Sequence, residues 1–154
     1  ALGTAHGVSW LAFEVLPESE GRQVMAYAEN TKVPVGKSKS DIDALVKKYG
    51  ADAFGIMEKA SAVQIAFSMS GRNILFKMTL PEKDQAERSI WRAMLLTIKG
   101  KLESAERGIE TFEEAFLANI VMTDGRTVAE HTAPAIENHY NGENAVPLLR
   151  DFSK

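Results

Sequence analysis

Between residues 62 and 80 the chain alternates along a strict period of two, and no other feature constrains its fold as much. Val63, Ile65, Phe67 and Met69 interleave with Gln64, Ala66 and Ser68. After Ser70-Gly71-Arg72, Ile74, Phe76 and Met78 interleave with Leu75, Lys77 and Thr79. Period two places one set of side chains on one face of a strand, so the stretch reads as a half-buried antiparallel hairpin. Gly71 allows the positive φ of a tight hairpin turn, and Pro81, lacking an N–H, ends the ladder. Directly behind, residues 84–107 read as a long amphipathic helix. Trp91, Leu95, Ile98, Leu102 and Ala105 form its stripe, widened by Ile90 and Met94. Laying that stripe on the hairpin buries about four large side chains at ~2 kcal/mol each, enough to fix the packing. The expected fold is α+β: a small antiparallel sheet of two to three strands, a long amphipathic helix packed on it, and additional C-terminal helices.

The flanks are less regular. Residues 31–39 read as a polar linker with Pro34 and Gly36. Ser40 is the expected N-cap of a first helix, with Asp41 and Asp43 in its first turn. Ile42, Leu45, Val46 and Tyr49 form its stripe, Lys47 and Lys48 its last turn, and Gly50 its stop. Residues 51–57 are a weaker strand, with Phe54 and Ile56 on one face. Gly100 interrupts the long helix at a cost of ~1 kcal/mol relative to alanine, and a glycine there often marks close approach of another element. Gly108 breaks the long helix, and residues 110–121 read as a second one, striped by Phe112, Phe116 and Ile120. Thr127 and Glu130 match a capping box, but Pro134 lies too deep for that helix to run on unbent. Thr132 is therefore the expected cap of a fresh helix that stops at Gly142. Residues 1–24 read as an upstream extension or cloning-derived leader before a single α+β domain, residues 25–154. Their alternative is an extra edge strand over residues 9–16.

Reactive chemistry is sparse. The 154 residues include no cysteine, which excludes disulfides, thiolate catalysis and cysteine-ligated metals. The longest apolar runs fall far short of the ~20 residues a membrane span needs. Gly36-Lys37-Ser38 lacks the upstream glycine of a phosphate loop, and no serine sits in a nucleophile elbow. His131 and His139, with Glu130 and Glu137 nearby, read as exposed polar residues rather than metal ligands. Glu110, Glu113 and Glu114 open a helix, where carboxylates favour its dipole, so they read as capping rather than catalysis. No cofactor is implied.

Charge is unevenly spread. Residues 25–107 hold 14 basic and 10 acidic side chains, residues 108–154 hold 3 and 8. This is either ordinary solvated surface or a basic face for a polyanion. Arg72, Lys77, Arg88, Arg92 and Lys99 are the candidates for gripping phosphates, although Arg88 can pair with Asp84, and Arg107 with Glu103, at i,i+4. The sequence pI of about 5.7 argues against a strongly basic surface.

Several segments, in a fixed order, carry a family resemblance. They are Lys32-Val33-Pro34-Val35, Lys48-Tyr49-Gly50-Ala51, residues 65–80 closing on Leu80-Pro81, and Trp91-Arg92-Ala93-Met94-Leu95-Leu96. Ile98-Lys99-Gly100-Lys101-Leu102-Glu103, Thr111-Phe112-Glu113-Glu114 and Asp124-Gly125-Arg126-Thr127-Val128 continue the series. From Met25 onward the chain resembles a family of small uncharacterised proteins from tailed bacteriophages and prophages. The resemblance implies a viral or prophage setting in the cytoplasm of a bacterial host, and no mechanism.

Two classes of function follow. One is a non-enzymatic accessory protein acting by protein–protein contact, self-associating or binding a host or phage partner, without a membrane. The other is a single-stranded nucleic-acid binder or replication–recombination accessory. For the first, one helical layer leaves a sheet face uncovered. It bears Gln64, Ala66, Ser68, Leu75, Lys77 and Thr79; with the hairpin and the long helix both contributing to the interface, Leu75 and Gly100 are the candidate interface residues.

Overall fold

Pro34 sets the start of the first helix in the computed structural model, which describes residues 31–142. Its carbonyl accepts from the amides of Lys37 and Ser38, and helix α1 spans Val35–Lys48. The expected cap at Ser40 is therefore six residues late, since Pro34 holds that position. Tertiary packing explains the difference: Ser38, Ile42 and Val46 are buried at spacings of four, so the buried stripe runs back past Ser40 into the supposed linker. Asp41 and Asp43 are consequently mid-helix, paired with Lys37 and Lys47 at i,i+4. Gly50, at φ 98°, stops the helix as expected.

Strands β1 (Ala53–Lys59), β2 (Ala62–Met69) and β3 (Arg72–Thr79) form an antiparallel sheet in the order β1-β2-β3. The register sets Ile65 between Ile56 and Phe76, and Phe67 between Phe54 and Ile74. Ser70 and Gly71 both hold positive φ, the two-residue turn that suits the right-handed strand twist. Helix α2 spans Asp84–Glu106 and buries Trp91, Leu95, Ile98 and Leu102 in one cluster with Val63, Ile65, Phe67, Ile42 and Val46. One face of the sheet and two helices thus share one core, and the α+β class expected from the sequence is the one observed. Lys39 stitches the layers from outside. Its ammonium sits 4.9 Å from the centre of the Trp91 ring and bonds Glu58 of β1.

The second helix is shorter than expected. Helix α3 covers only Phe112–Phe116, followed by a 3-10 turn at Leu117–Asn119. Phe116 sets edge-on against Phe67 and Phe76, at 5.8 and 6.3 Å. Ile120 then turns extended and bridges to Ile74 of β3. The Val121 amide donates to Asn73 O, and the Asn119 side-chain amide donates to Leu75 O. Carbonyls on the outer edge of β3 are satisfied in this way, which a continued helix would have left bare.

Helix α4 spans Val128–Tyr140 and runs straight through Pro134, so Thr132 caps nothing. Proline removes the bond to the carbonyl four residues back, which is that of Glu130. The Arg126 guanidinium donates to this carbonyl at 2.9 Å, replacing the lost donor. Thr132 Oγ1 donates to Val128 O instead of opening a new helix. The expectations for residues 1–24 lie outside the described residues.

Trp91 is fully buried at the centre of the core. Trp91→Ala is expected to cost about 3–5 kcal/mol, read as a lower urea midpoint. An unchanged midpoint would contradict the packing of α2 on the sheet.

Candidate protein-contact surface

The sheet face expected to be open is closed. Gln64, Ala66 and Leu75 are each at most 3% exposed. Ala66 and Leu75 form a second small cluster with Ala53 and Val121. Leu75 therefore does not present an interface, and the open-face expectation fails because the segment after α3 folds back along β3 instead of continuing as a helix. Gly100 also departs from expectation within the chain. A methyl group there would meet nothing within 4 Å, so no described element approaches it.

The five candidate phosphate-binding cations each meet an acceptor within the chain, three on other elements and two on α2 itself. Arg72 donates through Nε and Nη2 to Glu113 of α3, at 3.2 and 3.0 Å. Arg92 lies 3.6 Å from Asp41 of α1, and Lys99 3.9 Å from Glu103. Arg88 donates to Gln85 rather than to Asp84, and it borders a groove shared with Lys32, Asp84 and Glu87. Lys77, on the second sheet face, pairs with Glu130 of α4. Three of these cations do share one side of α2 by spacing, but carboxylates share it with them. The geometry gathers no basic patch.

Lys77 and Glu130 fasten α4 to the sheet. The Lys77 side chain is only 10% exposed, and its ammonium meets Glu130 Oε1. Glu130 Oε2 accepts from the Thr127 amide, while Thr127 Oγ1 accepts from the Glu130 amide. One carboxylate therefore closes the capping box and anchors the helix. Burial pushes the Glu130 carboxyl up, but the Lys77 ammonium and the Thr127 donors outweigh it and hold the carboxyl below its ordinary 4.5. Nearby, Asp124 is also held low, by His131 first and then by the Arg126 amide. His131 is thus engaged at 3.0 Å with Asp124, and no group of three metal-ligating side chains occurs among the described residues. The three glutamates at α3 divide their work: Glu114 caps Thr111, Glu113 meets Arg72, and Glu110 accepts from Ser104. The Thr111-x-x-Glu114 box was legible in the sequence by the same signal as Thr127-x-x-Glu130.

Beyond its anchor, α4 leaves the body. None of its 13 residues is buried, and residues 136–140 are all exposed. Ala129, Ala133, Ile136 and Tyr140 are spaced four, three and four apart, which at 100° per residue confines them to about 60° of arc. All four are exposed, Ile136 at 43% and Tyr140 at 83%. Leu117 and Met122, exposed at 49% and 47%, sit on the two segments that support the base of α4. The sequence pattern hides this stripe because Pro134 reads as part of the first turn of a fresh helix capped by Thr132, which separates Ala129 from Ala133, Ile136 and Tyr140; the 4-3-4 spacing is its signal. No described helix is long and apolar enough to cross a membrane.

No protein-family model, no characterised protein and no solved structure matches the chain.

The anchor sets an acid response. A carboxyl held below its ordinary value stabilises the fold above about pH 4.5, and that contribution disappears as pH falls through its lowered value. Thermal stability plotted against pH should therefore fall less steeply below pH 4.5 in Glu130→Gln than in the parent. Acid limbs of equal slope would contradict the anchor.

Proposed function

We propose that the chain is a non-enzymatic accessory protein that works by protein–protein contact through the exposed face of α4. The observation that carries this reading is an apolar stripe on a helix that buries none of its residues in its own domain. An isolated helix of fewer than about 12–15 residues is marginal in water. With 13 residues and one proline, α4 gains order from its anchored first turn, while residues 136–140 at its far end are all exposed. A partner on the stripe supplies what the domain does not. The family resemblance supports a phage or prophage setting for that contact.

Nucleic-acid binding has less support. The candidate cations have acceptors within the chain, and the exposed Tyr140 lies on α4, an element that carries none of them.

A photo-crosslinking residue at Tyr140, in the full chain expressed in bacterial cells, should capture a protein in much higher yield than the same residue at exposed Ala44 on α1. Equal yields at the two positions, or none at Tyr140, would contradict the contact reading.

A further inference from the structure

The stripe on α4 has a property that a generic sticky patch lacks. Its small and large residues are ordered small, small, large, large: Ala129, Ala133, Ile136, Tyr140. Turned end over end against itself, the sequence places Ala129 opposite Tyr140 and Ala133 opposite Ile136. Each large side chain then meets a small one at every level, the arrangement by which facing helices interdigitate without voids. The parallel register does the reverse, setting Tyr140 on Tyr140 and leaving Ala129 facing Ala129. Helix dipoles also oppose in the antiparallel arrangement and align in the parallel one.

Charge permits this pairing even though residues 108–154 are acidic overall. Glu130 is tied to Lys77 and His131 to Asp124. On the α4 surface beyond the anchor, Glu137 is the one carboxylate. The Tyr140 ring is oriented by His139, edge-on at 5.4 Å.

We infer that the occupant of the α4 stripe is a second copy of this chain, bound antiparallel about a two-fold axis between Ala133 and Ile136. This inference rests on the contact reading above and names its partner. A two-fold contact uses the same patch on both copies and closes on itself, so association stops at a dimer. With Ile136 43% and Tyr140 83% exposed, the two alanines, one isoleucine and one tyrosine offer about half or less of the ~800 Å² per partner in a standard stable interface. The dimer is accordingly weak, with a dissociation constant of about 10 μM to 1 mM.

Sedimentation equilibrium of the full chain, from about 10 μM to 1 mM, should show the weight-average mass rising from 16.9 kDa toward twice that value and no further. Tyr140→Ser, at a position 83% exposed and outside the core, should raise the dissociation constant about tenfold or more with an unchanged circular dichroism spectrum. The register is read by cysteine pairing, which the cysteine-free chain reports cleanly. Under copper-phenanthroline oxidation, Ala129→Cys mixed with Tyr140→Cys should give a mixed disulfide dimer. Neither variant alone should, because like positions lie about 16 Å apart along the axis. A monomer at every concentration overturns the inference, and so do homodimers of either variant alone. If the chain is monomeric while Tyr140 still crosslinks a different protein in cells, the contact reading stands and only the second copy is refuted.

Discussion

Everything in this domain depends on burying the α2 stripe against one face of the β2–β3 hairpin. Trp91, Leu95, Ile98 and Leu102 meet Val63, Ile65 and Phe67 there, and Ile42 and Val46 of α1 close the same cluster. A two-stranded hairpin is marginal in water and a lone 23-residue helix is only partly formed. Together they remove from solvent apolar side chains worth roughly 2 kcal/mol each. The period of two in the strands and the helical period behind them are one constraint seen twice: each element supplies the surface that the other needs.

The second face of the sheet joins the small apolar cluster of Ala66, Leu75, Ala53 and Val121 to a set of polar contacts. Segment 117–127 satisfies the β3 edge through Asn119 and Val121, then turns at Asp124-Gly125 into the capping box of α4. Glu130 binds Lys77, whose side chain is nearly buried. Breaking one member of such a pair costs more than the pair contributes net, since the remaining charge stays desolvated. The anchor therefore fixes where α4 leaves the body. The Arg126 guanidinium fixes that α4 continues, by supplying the donor that Pro134 lacks. Direction and continuity together hold Ala129, Ala133, Ile136 and Tyr140 in one outward line.

Local pattern in the sequence made the hairpin, the long helix and both helix-stopping glycines, Gly50 and Gly108, legible. It was insufficient wherever a long-range partner decides. Ser40 is a good cap in isolation, but the buried Ser38 belongs to a stripe that starts earlier, so Pro34 takes the position. Ile120 keeps helical spacing with Phe112 and Phe116, yet the open edge of β3 draws it into a bridge. Pro134 is a helix breaker by rule, overruled by an arginine eight residues earlier. Leu75 reads as exposed because nothing in its own strand shows that Val121 returns to cover it. At the candidate surface the signal was present but masked by the proline.

The central claim is that the outer half of α4 is ordered by contact on its apolar stripe, whereas its first turn is ordered by the anchor. Amide hydrogen exchange followed by NMR across a range of protein concentrations separates the two. Protection at residues 136–140 should rise with concentration, while protection at residues 131 and 132, next to the anchored turn, stays constant. Exchange at 136–140 at the unstructured rate at every concentration would contradict the account.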